Sequence, residues 1–130
     1  MPPNRLSSCA KMGHVRISLR ISNPDDPSKA VEVRDALVDT GATWTCVPRS
    51  LVASLGLRRV GTIRVRTAAG PQDLEQSYAQ LELEGKSLVT NISVSDTLDT
   101  VLVGVTTLES LGLAVDPVKG QLIETDLLLL

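Results

Sequence analysis

Ala36-Leu37-Val38-Asp39-Thr40-Gly41-Ala42 sets one carboxylate between an apolar run and a glycine. The run before it has the character of a buried strand. Asp39 therefore stands at a strand end, where desolvation disfavours its ionised form. Gly41 permits close backbone approach or unusual torsions. Thr40 offers a hydroxyl to brace the loop, and small Ala42 leaves space. Asp and Gly are also ordinary turn residues, and three residues taken alone suit a plain turn as well as a reactive loop. The order of the segments on either side separates the two readings.

Upstream, Val15, Ile17, Leu19 and Ile21 alternate with His14, Arg16, Ser18 and Arg20, the pattern of a half-buried strand. Residues 22–28, SNPDDPS, are dense in turn chemistry, and a second strand runs from about Ala30 to Val38. The two make a hairpin that leads into Asp39. Downstream, Pro48 suits a first helical turn and Gly56 a helix stop, which predicts a short helix near 49–55. Ile63 and Val65 lead into the turn-like Thr67-Ala68-Ala69-Gly70-Pro71. Ala79, Leu81 and Leu83 form a further strand, Gly85-Lys86 turns the chain, and Leu88, Ile92 and Val94 return. Thr106 and Glu109 spell a capping box with Thr106 as N-cap, and Gly112 closes that helix, expected near 107–111. Asp116 to Gly120 turns the chain once more before Gln121 to Leu127. Six to eight short strands with two small helices predict a mostly β fold, closed or sandwiched.

Composition narrows the function. The chain has 130 residues, room for one domain with a real core. With one Trp, one Tyr and no Phe, that core must be aliphatic. A net charge of -2 argues against nucleic acid, which demands a concentrated basic surface. Arg58, Arg59, Arg64 and Arg66 alternate with apolar residues as a solvated strand face does. Cys9 and Cys46 make no disulfide framework and point to reduced thiols in a cytoplasmic setting. No apolar signal segment opens the chain, and the four leucines 127–130 cannot span a bilayer. Residues 1–11 have no periodicity and read as a flexible extension, leaving 12–130 as the folded domain. One His and two Cys supply neither a zinc cluster nor a Cys/His pair, so neither metal nor cofactor is expected.

Asp39-Thr40-Gly41-Ala42 resembles the active-site loop of aspartic proteases. The order of the other segments resembles the bacterial and archaeal single-domain members of the retropepsin-like family. These segments are Val47-Pro48-Arg49-Ser50-Leu51, a short helix ending in Leu55-Gly56-Leu57, then Val101-Leu102-Val103-Gly104 and a helix running into Gly112-Leu113-Ala114-Val115-Asp116-Pro117. The likeness spans about residues 12–126. It implies a closed β-barrel of the retropepsin type, one lobe per chain, and an aspartic endopeptidase acting on peptides or proteins. Asp39 is then the catalytic residue, with Thr40, Gly41 and Ala42 supporting its loop. Val103 and Gly104 pack beside that loop. Ala68, Ala69 and Gly70 lie at the tip of a flap hairpin, from about Arg66 to Gln80, that covers substrate. Two such carboxylates share one proton in this chemistry. The chain holds one Asp-Thr-Gly, which implies a homodimer joined in part by Gln121 to Leu130. The rival reading is a non-catalytic dimerisation or peptide-binding module of the same fold.

The chain departs from the family at two places. Val105-Thr106 stands where many relatives carry a charged residue after the downstream glycine, and Thr43 where some carry a second Asp. The polar tie that such a charge makes near the loop must be absent or replaced. Other residues have plainer readings. Asp96, Asp99 and Asp116 read as loop or turn residues, Trp44 as a core or interface anchor, His14 as solvated, and Cys46 as a small core residue.

Overall fold

The computed structural model describes residues 14–125. The extension 1–11 and the leucine end 127–130 lie outside the described residues. Strand dominates. β1 (His14–Asn23), β2 (Asp26–Asp39), β3 (Cys46–Pro48), α1 (Arg49–Leu55), β4 (Arg59–Thr67), β5 (Gly70–Leu83), β6 (Lys86–Ser95), β7 (Leu102–Val103), α2 (Val105–Ser110), β8 (Leu113–Asp116) and β9 (Gln121–Glu124) follow in chain order. Seven strands form one sheet in the order β1-β2-β7-β3-β6-β5-β4, β1 also pairs with β5, and β8 pairs with β9 as a separate ribbon.

The alternation in β1 and β2 buries Leu19, Ile21, Ala36 and Val38 against Val47, Leu81, Ile92, Val101, Val103 and Leu108. Every one of these side chains is aliphatic, as the near absence of aromatics requires. Antiparallel register sets Val15 opposite Val38 and His14 opposite Asp39. The second arm of the hairpin thus delivers the carboxylate at the place where the buried run ends.

Nine strands are present among the described residues, beyond the six to eight expected. β3, β7 and β8 have only 3, 2 and 4 residues. A period-two pattern cannot show in so few positions; β3 and β7 exist because the longer β6 and β2 offer them partners, and β8 because β9 does. The expected turn over 22–28 shrinks to Pro24-Asp25. Pro27 instead lies in β2, where the register jumps between Ser22↔Ala30 and Asn23↔Asp26. An irregularity of this kind asks no ladder N–H of a proline. The next hairpin turns at Glu84-Gly85, one residue before the expected pair, with φ of 51° and 75° and Leu83 opposite Lys86. Paired left-handed residues are what a two-residue hairpin needs to match strand twist.

The first helix lies where it was expected, over 49–55, while the second starts differently from the capping expectation. α1 begins at Arg49 with Pro48 as its N-cap, and stops at Gly56 in the left-handed region (φ 63°). α2 spans Val105–Ser110, two residues earlier than expected, and its N-cap is Gly104 with no side-chain cap. Thr106 lies inside the helix, so the capping box with Glu109 does not form. The first N–H groups find other acceptors. Val105 donates to the Ala42 carbonyl (2.8 Å) and Thr106 to the Thr43 carbonyl (3.2 Å). These orphan donors need satisfying by some acceptor, and the loop after Asp39 supplies it.

Side chains lock the outer elements. Buried Asn23 donates from Nδ2 to the carbonyls of Leu55 (2.9 Å) and Gly56 (3.1 Å), and its Oδ1 accepts the Asp25 N–H (2.8 Å). One amide therefore closes the end of α1 and shapes the β1–β2 turn. Lys86 joins the end of α2 to β9 through the Leu111 carbonyl (3.1 Å) and Glu124 (3.3 Å). Arg49 meets Glu75 of β5 at 3.0 Å and Asp96, just past β6, at 2.5 Å. It ties the long β4–β5 hairpin to α1. The hydrogen bonds from Arg49 hold the Asp96 carboxyl below the ordinary carboxylate range, with slight desolvation opposing them.

Two stability predictions follow from these ties. Asn23→Ala leaves two buried-end carbonyls and a turn N–H without partners, and should cost about 1–3 kcal/mol in urea unfolding. The Arg49–Asp96 tie stabilises the fold while Asp96 is ionised. Because the folded-state value is depressed, that contribution is present above the ordinary Asp value of about 3.9 and is lost as pH falls through the folded value. The melting-temperature gap between wild type and Arg49→Gln should therefore be widest near neutrality and close in acid. A pH-independent gap would contradict this.

Candidate active site

Asp39 is the last residue of β2 and is half-buried. Its Oδ1 accepts the Gly41 N–H at 2.9 Å and its carbonyl accepts the Ala42 N–H at 3.0 Å. The carboxylate is thus folded over its own loop, and Gly41 allows it: a Cβ there would lie 3.3 Å from the carboxyl oxygen. Thr40 and Gly41 are exposed, and Ala42 is half-buried.

Val103 and Gly104 lie beside this loop because β7 pairs with β2 in parallel, Leu37 with Leu102 and Val38 with Val103. The Leu37 N–H reaches the Val101 carbonyl at 2.9 Å and extends the seam. Val103 is fully buried next to the strand that ends in Asp39. At Gly104 the chain passes so close to the loop that a Cβ would lie 2.5 Å from the Trp44 carbonyl carbon and 2.7 Å from the Thr43 oxygen. Backbone fills that space, so only glycine fits. From this contact onward Val105 and Thr106 donate to Ala42 and Thr43. Val105 and Thr106 carry no side-chain charge, and their backbone N–H groups make the polar ties to this loop.

Thr45 and Thr107 belong to the same region, and sequence reading missed them. Their hydroxyls lie 2.7 Å apart in the interior, and Thr45 Oγ1 also accepts the Gly104 N–H at 3.1 Å. The available signal was a hydroxyl residue in each of two otherwise apolar packing segments. Thr107 was instead absorbed into the expected capping box.

The predicted hairpin exists and is longer than expected, with β4 and β5 in register from Arg59↔Ser77 to Thr67↔Gly70. Ala68 and Ala69 form its exposed tip, and Gly70 follows with φ 111°. Ile63 stands opposite Leu74 and Val65 opposite Gln72, while Arg64 opposite Asp73 forms an ion pair at 3.3 Å. The hairpin thus has one largely apolar face and one charged face. Of the other residues singled out, Trp44 is half-buried. Asp116 accepts the N–H groups of Val118 (3.0 Å) and Lys119 (3.2 Å) as a turn residue does. Cys46 is half-buried, and that burial pushes its thiol up from the ordinary value. Among the described residues no three His, Cys, Asp or Glu side chains converge as metal ligands would. No described helix is long and apolar enough to cross a membrane.

Comparison with known proteins places these features. Residues 31–110 match the family model described as "gag-polyprotein putative aspartyl protease". No curated protein matches the sequence. Among solved structures, EIAV protease complexed with the inhibitor HBY-793 superposes with a TM-score of 0.57 at 17% identity, over 83% of this chain and 95% of that one. A retropepsin-like aspartic protease from Rickettsia conorii gives 0.52 at 19% identity, over 79% and 82%. The retroviral protease-like domain of Ddi1 from Leishmania major gives 0.53 at 14% identity, over 85% and 88%. Identities this low carry the fold alone, while the family match spans most of the chain, from the second strand through α2, and includes Asp39-Thr40-Gly41. The chain belongs to the retropepsin-like aspartic proteases, in the gag-polyprotein aspartyl protease family.

Proposed function

We propose that this chain is an aspartic endopeptidase whose working site forms between two copies, each giving Asp39. The observation that carries the reading is one Asp-Thr-Gly at the end of a buried strand, with its loop clamped by Gly104 to Thr106, in a chain of this family. A dyad needs two carboxylates. A two-fold axis sets a residue opposite its own copy, with exposed Thr40 and the neighbouring Ala42 close to the axis. The β1–β5 pairing is read as closing the sheet into a barrel, one lobe per chain. The domain is read as 12–130, in a reducing, cytoplasmic setting. The segment from Gln121 to Leu130 gives the two lobes a further contact.

The chemistry follows from two carboxyls about 3 Å apart, which cannot both ionise. The ionised one takes a proton from a water held between them, and that water's oxygen bonds to the peptide carbonyl carbon. The protonated one gives its proton to the developing oxyanion. When the tetrahedral species collapses, the C–N bond breaks, the carboxyl that took the water's proton gives it to the amine nitrogen, and the other carboxylate takes a proton from a diol hydroxyl as the product carbonyl forms, which restores the dyad. Ala68, Ala69 and Gly70 at the hairpin tip act as a flap: small side chains keep the tip slim over an extended peptide and let the arm move.

Asp39→Asn is nearly isosteric and cannot act as base. It should lower peptide cleavage by at least about 10²–10⁴-fold without changing the circular dichroism or sedimentation of the protein, with the wild-type optimum acidic to near neutral. Cleavage per chain should also fall on dilution below the dimer constant, tracked by sedimentation equilibrium over the same range. A fully active monomer would remove the shared dyad. A dimer that binds peptides without cleaving them would favour the non-catalytic module.

Gly70→Val tests the flap. A β-branched residue at φ 111° carries strain on the order of 1–3 kcal/mol. Turnover should fall while Asp39-dependent chemistry persists. Unchanged kinetics would take the tip out of substrate handling.

A further inference from the structure

We infer that Thr45 and Thr107 are positioning residues that set the depth at which the Asp39 loop sits, an inference that rests on the protease reading above. Their side chains are almost wholly enclosed, at 2% and 3% exposure, in a protein whose buried residues are mostly Val, Leu and Ile. Two valines of the same shape would fill the same space, but Thr45→Val would strip the Gly104 N–H of its acceptor. A hydroxyl pair in the core therefore supplies something other than packing energy.

What it supplies is direction. Thr45 stands at the far end of the loop that starts at Asp39. Its carbonyl accepts the Ser93 N–H from β6 at 2.9 Å. Its hydroxyl accepts the Gly104 N–H at 3.1 Å and shares a hydrogen bond with Thr107 Oγ1 at 2.7 Å. One residue thus knots the loop to the sheet on one side and to the start of α2 on the other. The backbone bonds from Val105 and Thr106 reach only the middle of the loop, at Ala42 and Thr43. Apolar surfaces slide past one another at small cost, whereas a hydroxyl pair has one short separation at which it is satisfied. The constraint matters because Asp39 must meet its copy across an axis. A displacement of about 1 Å at a reacting group can cost about 10²-fold in rate. An error in one loop is repeated in the other and so doubles across the dyad.

The test compares Thr45→Val, Thr107→Val and the conservative Thr45→Ser in the full chain, at concentrations where sedimentation shows a dimer. Asn23→Ala serves as a control that weakens the fold far from the loop. The readouts are kcat and KM on one cleaved peptide, the pH–rate profile, and the carboxyl carbon resonance of 13C-labelled Asp39 at fixed pH. The expected result for the valine variants is a fall in kcat of about 10- to 100-fold, KM within about twofold, displaced limbs of the pH profile and a moved Asp39 resonance. Thr45→Ser restores all four, and Asn23→Ala moves none. Should Thr45→Val fail to fold, Thr107→Val carries the same test, because it leaves the Gly104 N–H its acceptor. A folded, dimeric valine variant with wild-type kcat, pH profile and resonance overturns the inference. Asp39→Asn decides the protease reading separately. If the wild-type dimer cleaves no peptide, an unmoved Asp39 resonance in the valine variants still refutes the coupling.

Discussion

At Gly104 two stretches of backbone approach so closely that no side chain can stand between them. This contact brings the start of α2 against the loop that follows Asp39. It explains why α2 has no side-chain cap: its first N–H groups are spent on the loop carbonyls of Ala42 and Thr43. It also explains why β7 is only two residues long. The strand pairs with β2 just far enough to carry Val103 beside Val38, then gives way to the glycine. The carboxylate's position is thus inherited from a buried aliphatic seam on one side and a hydrogen-bonded helix start on the other. A helix end and a loop, each with unsatisfied polar groups in isolation, satisfy one another.

The rest of the molecule divides into a rigid base and a long arm. The base is the aliphatic core around Ile21, Val38, Leu81 and Val103. The arm is the β4–β5 hairpin, whose outer strand β4 ends the sheet order. What holds the arm to the base near its root is partly ladder hydrogen bonding and partly the ionic tie among Arg49, Glu75 and Asp96. Such a tie lies at the surface and contributes little to overall stability. Its geometric effect is to link the arm to α1 and to the segment just past β6. The arm thus has a root held by several elements and a tip of small exposed residues.

The strongly periodic parts were legible in the sequence. The alternation of Val15 to Ile21 and the apolar run before Asp39 gave the first hairpin, and the Gly56 and Gly112 stops gave the ends of both helices. The Ala68-Ala69-Gly70 turn also lies where it was expected. The errors share one cause. β3, β7 and β8 were missed because strands of two to four residues are made by their neighbours. Thr106 was taken for an N-cap because its spacing to Glu109 was right, yet Gly104 already held that place through contact with the loop. Asn23 looked like a turn residue, and it is one, but its amide also closes a helix 32 residues away.

By itself, the sequence determined the mostly β class, the aliphatic core, the single Asp-Thr-Gly and the place of Asp39 at a strand end. Each of these depends on local periodicity, composition or a count of motifs, which neighbouring residues carry without reference to the rest of the chain. Only the tertiary structure decided how the Asp39 loop is held. The Gly104 contact, the carbonyls of Ala42 and Thr43 as partners of α2, and the enclosed Thr45–Thr107 pair join residues about sixty positions apart. Whether a threonine is a cap, a surface residue or a buried tie depends on which distant polar group is left unsatisfied within its reach, and the folded chain alone sets that.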